Sequence, residues 1–135
     1  MSEKSMDEVM ERFRSMDFPE TFDTIVAIAN GGIVPAAILN QRLDIGVQLL
    51  RINLRDPFQK PRHEAPLLLE PIQFDVKGKR ILLVEDRVKT GATLNYAVKL
   101  LTEAGAAVVK TFAVNGKADY ALYNETCFKF PWILT

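Results

Sequence analysis

The sequence predicts an α/β fold: a doubly wound, mostly parallel sheet flanked by helices, with a small hood formed by the C-terminal part and a loop. Three observations predict it. Short apolar runs alternate with segments of helical periodicity along the chain. Two of these runs contain no polar residue, which is typical of strands covered on both faces. Each of the two is followed by a glycine-containing turn and then by a helical pattern.

Length and composition indicate a single domain over residues 1–135. Lys plus Arg and Asp plus Glu balance at 17 each, so charge gives no reason to expect a nucleic-acid or membrane partner. One cysteine, Cys127, excludes an internal disulfide framework and a cysteine zinc cluster. We find no apolar signal core in the first residues and no run long enough to span a membrane, so we expect a cytoplasmic protein.

The first half of the chain supplies two helices and two strands. Apolar residues at i, i+3, i+4 and i+7 predict an amphipathic helix over residues 5–16. Residues 24–29 form a buried strand, the turn 30–32 ends it, and residues 33–39 form a helix with Pro35 in its first turn. Strand-forming residues predict a third strand within residues 44–53.

Residues 54–71 are expected to be irregular, because four prolines exclude a regular helix and disfavour a central strand. A connection of this length in a compact domain is often functional. Basic residues Arg55, Lys60 and Arg62 lie in it, together with His63, the only histidine. A solvated surface loop is the alternative interpretation.

The most informative stretch is residues 81–94. An apolar strand over residues 81–84 is followed by Glu85 and Asp86, then by the turn 90–93, and then by a helix that extends to residue 104. Open α/β sheets bind ligands at the carboxyl ends of their strands. A helix N-terminus attracts phosphate, whereas carboxylates bind sugar hydroxyls or hydrated Mg²⁺. The order therefore indicates a ligand that carries both a phosphate and a ribose.

The C-terminal part continues the alternation. Gly105 is a helix stop signal, and residues 106–114 are expected to form the next strand. Asn115 and Gly116 then form a turn, and residues 128–133 read as a short aromatic strand.

Residues 84–93 resemble the signature of the type I phosphoribosyltransferases. That signature is an apolar strand, two acidic residues, two variable residues, usually an aspartate, and Thr-Gly-x-Thr; this chain departs from it at Lys89. The resemblance is closest to the 6-oxopurine (xanthine-guanine and hypoxanthine) enzymes. It implies an enzyme of purine salvage that transfers 5-phosphoribosyl from phosphoribosyl pyrophosphate (PRPP) to a purine-type base, with Mg²⁺ as cofactor and pyrophosphate as product.

The resemblance also implies roles for individual residues. Glu85 and Asp86 would hold the ribose hydroxyls, directly or through Mg²⁺, and count as catalytic and metal-binding. Thr90, Gly91, Ala92 and Thr93 would hold the 5′-phosphate, and Arg87 and Val88 are also expected to bind substrate.

A second turn resembles the same family. Residues 29–35 are similar to the Ser-Arg-Gly-Gly-Leu-Val-Pro loop of xanthine-guanine enzymes, with Asn30 in place of the basic residue. The resemblance implies that Asn30, Gly31 and Gly32 lie against pyrophosphate without the added charge. It also implies that residues 55–71 form a mobile flap that closes over PRPP.

The base-binding residues follow from a looser match at residues 117–132. Carried over by position, Lys117 would hydrogen-bond an exocyclic oxygen of a purine. The ring that stacks on the base falls at Cys127 or Phe128, and we choose Phe128; each C-terminal aromatic taken alone also fits a place in the core.

Lys89 is the third residue that we assign as catalytic, and it leaves the function open. An aspartate at this position assists proton transfer in the purine enzymes, whereas a lysine would need its pKa lowered by roughly 3 units to act as a base. Three interpretations remain: the reaction needs no base, Lys89 selects an acidic or anionic acceptor, or the protein binds PRPP or a nucleotide as a non-catalytic regulatory module. In each case we expect a homodimer or higher homo-oligomer by analogy with the family.

Overall fold

The computed structural model describes residues 2–53 and 67–135. Its helices are α1 (Met6–Ser15), α2 (Ile33–Leu43) and α3 (Ala92–Glu103). Its strands are β1 (Ser2–Glu3), β2 (Thr24–Ala29), β3 (Val47–Asn53), β4 (Leu67–Leu68), β5 (Arg80–Arg87), β6 (Val108–Asn115), β7 (Tyr120–Tyr123) and β8 (Phe128–Lys129).

The strands form a six-stranded sheet in the order β4-β3-β2-β5-β6-β7 and a separate two-stranded pair, β1-β8. All neighbours in the larger sheet are parallel except β3 and β4, which are antiparallel. The order reverses direction between β2 and β5, so the carboxyl ends of these two strands flank the crevice where such sheets bind ligands. The predicted fold class is confirmed.

Strand β5 shows why both faces of the sheet must be covered. Leu82 and Val84 belong to the apolar cluster beneath α1 and α2, whereas Ile81 and Leu83 belong to the cluster beneath α3. All four side chains are fully buried. A continuous apolar run therefore fills two layers at once, as expected for a central parallel strand.

Several element ends differ from the prediction. Helix α2 extends to Leu43 and ends where Asp44 adopts a left-handed conformation, so β3 begins only at Val47. Strand β5 extends to Arg87, three residues beyond its apolar run. Hydrogen bonding to β6 continues past Val84, since Glu85 and Arg87 pair in register with Ala113 and Asn115. The two carboxylates thus lie on the strand and not after it.

The sequence patterns missed three short strands, β1, β4 and β7. Strand β4 lies in the stretch predicted to be irregular, while residues 54–66, which include the expected basic flap residues and His63, lie outside the described residues. The predicted aromatic strand over residues 128–133 is wrong beyond Lys129, because Pro131 has no N–H to donate. Strand β8 pairs with β1 at the other end of the chain. Within the described ranges, no helix has the length and apolar character needed to cross a membrane.

Candidate functional site

The two glycine-containing turns meet where β2 and β5 end. Gly31 lies against the carboxyl group of Asp86, so closely that an added Cβ would lie 2.7–2.8 Å from its atoms. A Cβ on Gly32 would overlap the backbone oxygen of Val84 and lie 2.8 Å from that of Ile28. Position 32 requires glycine because its close neighbours are backbone atoms, whereas the close neighbour of position 31 is a side chain. The structure therefore brings together the turn at 30–32 and the acidic pair, which are distant in sequence.

The acidic pair is held by its own backbone. The Asp86 N–H donates to Oε1 of Glu85 at 3.0 Å, and the Arg87 N–H donates to Oδ1 of Asp86 at 2.6 Å. Burial, followed by the neighbouring charge of Asp86, raises the pKa of Glu85 from 4.5 to about 8. Glu85 therefore carries a proton at neutral pH until a cation or donor comes close.

The turn that begins α3 lies at the edge of an open hollow. Gly91 has a φ of +85°, and the Ala92 N–H donates to Oγ1 of Thr90 at 3.2 Å. A cavity of about 310 Å³, here called the Thr90 cavity, is lined by Glu85 and residues 87–94. All four predicted phosphate-binding positions, 90–93, line it. The N-terminus of α3 thus opens onto space large enough for a phosphate group.

Arg51 is a candidate residue that the sequence analysis did not find. It ends the pairing of β3 with β2, opposite Ala29. Its Nη1 donates to Oδ1 of Asn30 at 3.4 Å, and its Nε lies 3.6 Å from Glu70. A guanidinium group from the neighbouring strand therefore lies beside Asn30. The sequence did contain a signal for Arg51: it lies near the carboxyl end of a predicted parallel strand, where such sheets bind ligands.

The predicted metal ligands fit Mg²⁺ in number and chemistry. Glu85 and Asp86 are two oxygen donors, and no group of three or more His, Cys, Asp or Glu side chains suited to a metal occurs in the parts of the chain that are described. Mg²⁺ is commonly held by one or two carboxylates together with substrate phosphates and water, so a small protein donor set is suitable.

A second cavity lies beyond Lys89. It has a volume of about 190 Å³ and is here called the Cys127 cavity. The residues that line it are Arg87, Val88, Lys89, Asn115, Gly116, Asn124, Glu125 and Cys127. Both Lys89 and Cys127 are exposed to solvent. Lys89 therefore connects this cavity to the Thr90 cavity, which it also lines.

The structure corrects the assignment of Phe128 as the ring that stacks on a base. Phe128 is 0% exposed, and its ring packs edge-on against Tyr123 and Phe130 at 5.1 and 5.3 Å. The side chain points into the core because β8 pairs with β1 and places Cys127 at the surface instead. Phe128 therefore presents no face to a ligand.

Lys117 lies apart from the Cys127 cavity. It is exposed and lines a different cavity of about 560 Å³, together with Lys89 and Thr90. The reason is the turn at Gly116, which packs so tightly on Val88 that an added Cβ would lie 2.5 Å from its carbonyl oxygen. The structure therefore brings Lys117 close to the Thr90 turn and not to Cys127.

Comparison with known proteins gives one consistent family. A model of the phosphoribosyl transferase domain matches residues 3–132. A xanthine-guanine phosphoribosyltransferase from Desulfotalea psychrophila is 33% identical over 82% of this chain and 70% of its own length. An orotate phosphoribosyltransferase from Sulfurisphaera tokodaii is 28% identical over 87% of this chain. This chain spans 53% of the orotate relative, so about half of that protein has no counterpart here.

Solved structures show the same fold. A purine phosphoribosyltransferase from Pyrococcus horikoshii superposes with a TM-score of 0.73 and 25% identity, covering 97% of this chain and 92% of its own. A hypothetical protein from Neisseria gonorrhoeae with bound ppGpp superposes with a TM-score of 0.76 and 18% identity, covering 98% and 90%.

Proposed function

This chain belongs to the phosphoribosyl transferase domain family, and on that premise we propose that it binds PRPP and transfers its 5-phosphoribosyl group to a nitrogenous, purine-type base in a salvage reaction. The observation that carries the proposal is the packing of Gly31 on the carboxyl group of Asp86. This contact joins the two turns into one continuous surface. A ribose that carries phosphate groups at both ends would need such a surface.

The 5′-phosphate would bind the turn at 90–93. The N–H groups at the start of α3 and the positive end of its dipole favour an anion there. Asp86 would hold the ribose hydroxyls. Glu85, protonated in the free protein, would donate a hydrogen bond until ligand or metal lowers its pKa.

The pyrophosphate would lie against Gly31 and Gly32, with the guanidinium of Arg51 supplying charge beside Asn30. Glu85 and Asp86 would hold Mg²⁺. When bound, this ion supplies neutralising charge to the leaving pyrophosphate.

In the proposed reaction, a ring nitrogen of the base attacks C1 of the ribose while the bond from C1 to the pyrophosphate oxygen breaks. The electron pair of that bond leaves with pyrophosphate, so the transition state has positive charge on the ribose. Asp86 would stabilise that charge. The preorganised N–H groups of the two turns would hold the 5′-phosphate and the pyrophosphate in position for the reaction. The base itself would enter from the side of Lys89.

The test is pyrophosphate release with PRPP, Mg²⁺ and a panel of purine and pyrimidine bases. We expect turnover with at least one base, and we expect Asp86→Asn and Glu85→Gln to lose most of it while remaining folded. If no base releases pyrophosphate from PRPP in the wild-type protein, the proposed activity is refuted.

A non-catalytic module that binds PRPP or a nucleotide is the second candidate. Two departures favour it, Lys89 and Asn30, since both replace residues that serve chemistry in the family. Calorimetry with PRPP, nucleoside monophosphates and ppGpp separates the two candidates: tight binding without turnover supports the module, whereas purine turnover restored by Lys89→Asp indicates an altered enzyme.

We further propose a cytoplasmic location and self-association into a homodimer or higher homo-oligomer. The free and exposed thiol of Cys127 suits a reducing compartment. Exposed apolar side chains on α2, Ile33 and Val34, support an interface between copies. Light scattering measures the mass in solution, and a monomer at all concentrations would contradict the second proposal.

A further inference from the structure

We propose that the acceptor carries a negatively charged group, a carboxylate, and that Lys89 and Arg87 bind it in the Cys127 cavity. This inference rests on the proposed function, because it names the class of base that the same site accepts. Four observations on the described residues lead to it.

The first is the balance of charge around the cavity. Lys89 and Arg87 contribute two positive charges, and Glu125 is the one acidic residue among the described residues that line it. Glu125 is already paired, since its Oε1 lies 2.8 Å from Nζ of Lys4. Lys4 does not line the cavity, so it cancels the negative charge from outside. The cavity therefore keeps a surplus of positive charge.

The second observation is how Lys4 is held. Its Nζ lies 4.8 Å from the ring centre of Tyr123 and 5.0 Å from that of Phe128, and its side chain is only 17% exposed. Two aromatic faces and a carboxylate fix the ammonium group in place. The charge of Glu125 is thus offset by an ammonium group that is itself held in place.

The third observation is the fixed position of Arg87. Its Nη2 donates to the carbonyl oxygen of Phe128 at 2.6 Å, and its guanidinium lies 4.6 Å from the ring centre of Phe130. Its Nε is buried and has no hydrogen-bond partner among the described residues. A guanidinium has five N–H donors, so one bond to a carbonyl leaves capacity for a carboxylate. The charge is preorganised before a ligand arrives.

The fourth observation is the lack of an aromatic surface. None of the described residues that line the cavity is aromatic, because Phe128 lies in the core and Cys127 occupies the surface position. Asn115 is also unavailable, as its side chain accepts from the Glu125 N–H at 3.0 Å and donates to the Thr126 carbonyl at 3.5 Å. The described lining of the cavity therefore has no aromatic face on which a neutral ring could stack. Recognition of an acceptor there would depend on charge.

The chemistry balances without a protein base at Lys89. The ring nitrogen of the acceptor forms the bond to C1, pyrophosphate leaves with the electron pair, and the proton of that nitrogen passes to water. Lys89 stays protonated throughout, and the carboxylate is unchanged. Lys89, which stands where the family has an aspartate, thus binds and orients the acceptor and does not accept its proton.

The experiment compares acceptors that differ only in charge. Binding of purine-6-carboxylate and of orotate, each alongside its neutral carboxamide, is measured by calorimetry with pyrophosphate and Mg²⁺ present. We expect wild-type protein to bind a carboxylate about tenfold more tightly than its amide. Lys89→Met should abolish this preference, and Lys89→Arg should keep it. Lys99→Met, which removes an exposed lysine of α3, is the matched control and should behave as wild type.

Ribose 5-phosphate is titrated into every variant to separate the two proposals. Lys89 also lines the Thr90 cavity, so the affinity for ribose 5-phosphate is expected to fall in Lys89→Met and to be kept in Lys89→Arg. The ratio of acid to amide affinity within each variant is therefore the quantity that tests the acceptor proposal. Normal binding of ribose 5-phosphate with equal affinity for acid and amide, or with a preference that Lys89→Met retains, would overturn the acceptor proposal alone. Failure of the wild-type protein to bind ribose 5-phosphate would overturn both.

Discussion

The proposed phosphate half of the site (residues 30–32, Glu85, Asp86 and 90–93) and the proposed acceptor half (Arg87, Lys89, Asn115 and 124–127) are built in different ways. The phosphate half consists mainly of two short turns, each followed directly by a helix. It would bind its ligand largely through the backbone N–H groups of these turns. The acceptor half is assembled from distant segments joined by side-chain contacts, such as Arg87 to Phe128 and Lys4 to Glu125. A site built from the backbone of short segments leaves a motif in the sequence, whereas a site assembled from distant side chains does not.

Replacing Gly32 by alanine should give the largest effect, because it disrupts the support of the phosphate half. The added Cβ would meet backbone atoms of Val84 and Ile28, which cannot rotate away. We expect a loss of about 3 kcal/mol in the free energy of unfolding, measured with urea. Gly46→Ala is the control, since a Cβ there meets nothing within 4 Å. Equal stability of the two variants would contradict the packing described for β2 and β5.

Gly31→Ala should separate function from stability in the same half. Its Cβ would meet the carboxyl group of Asp86, a side chain that can turn aside. We expect the free energy of unfolding to fall by about 1 kcal/mol, and pyrophosphate release to fall about a hundredfold because Asp86 leaves its place. Activity equal to wild type would show that the position of Asp86 does not matter for turnover.

The pH dependence of stability tests the buried Glu85. Its pKa is raised from 4.5 to about 8, so the folded protein holds a proton that the unfolded chain has already released within that window. The free energy of unfolding should therefore fall as pH rises from 4.5 to about 8, by up to about 5 kcal/mol relative to Glu85→Gln. Urea melts in the presence of a chelator measure it. Parallel profiles for the two proteins would mean that Glu85 ionises normally.

Arg51→Met gives the smallest expected effect and tests whether the neighbouring strand supplies charge to the phosphate half. Arg51 is partly exposed and already close to Glu70, so its loss should weaken pyrophosphate binding only about fivefold to tenfold. Binding of ribose 5-phosphate should stay unchanged. Arg14→Met, which removes an exposed arginine of α1, is the control for net charge. A similar loss in both variants would assign the effect to long-range charge.

The sequence predicted the sheet and the two turns of the proposed phosphate half because their signals are local. An unbroken apolar run predicts a strand covered on both faces, and the fully buried residues 81–84 confirm it. The end of β5 was not predictable in this way, since Glu85 to Arg87 continue the strand only through pairing with β6.

The acceptor half was predicted poorly because its placement depends on contacts between the chain ends. Whether Phe128 or Cys127 faces outward depends on a single step in the register of β8, which pairs with β1. Neither short strand has a periodic pattern of its own. Arg51 escaped notice for a related reason: its partner, Asn30, becomes a neighbour only when β2 and β3 pair.

The pairing of β1 with β8 also imposes an order on folding during synthesis. Ser2 and Glu3 leave the ribosome well before their partners Phe128 and Lys129, which follow them by 126 residues in the sequence. The strands and turns of the phosphate half all precede these partners, so that half has its own contacts while translation continues. The carbonyl group of Phe128 that fixes Arg87 is synthesised after all of these segments, so the proposed acceptor half is completed after the proposed phosphate half.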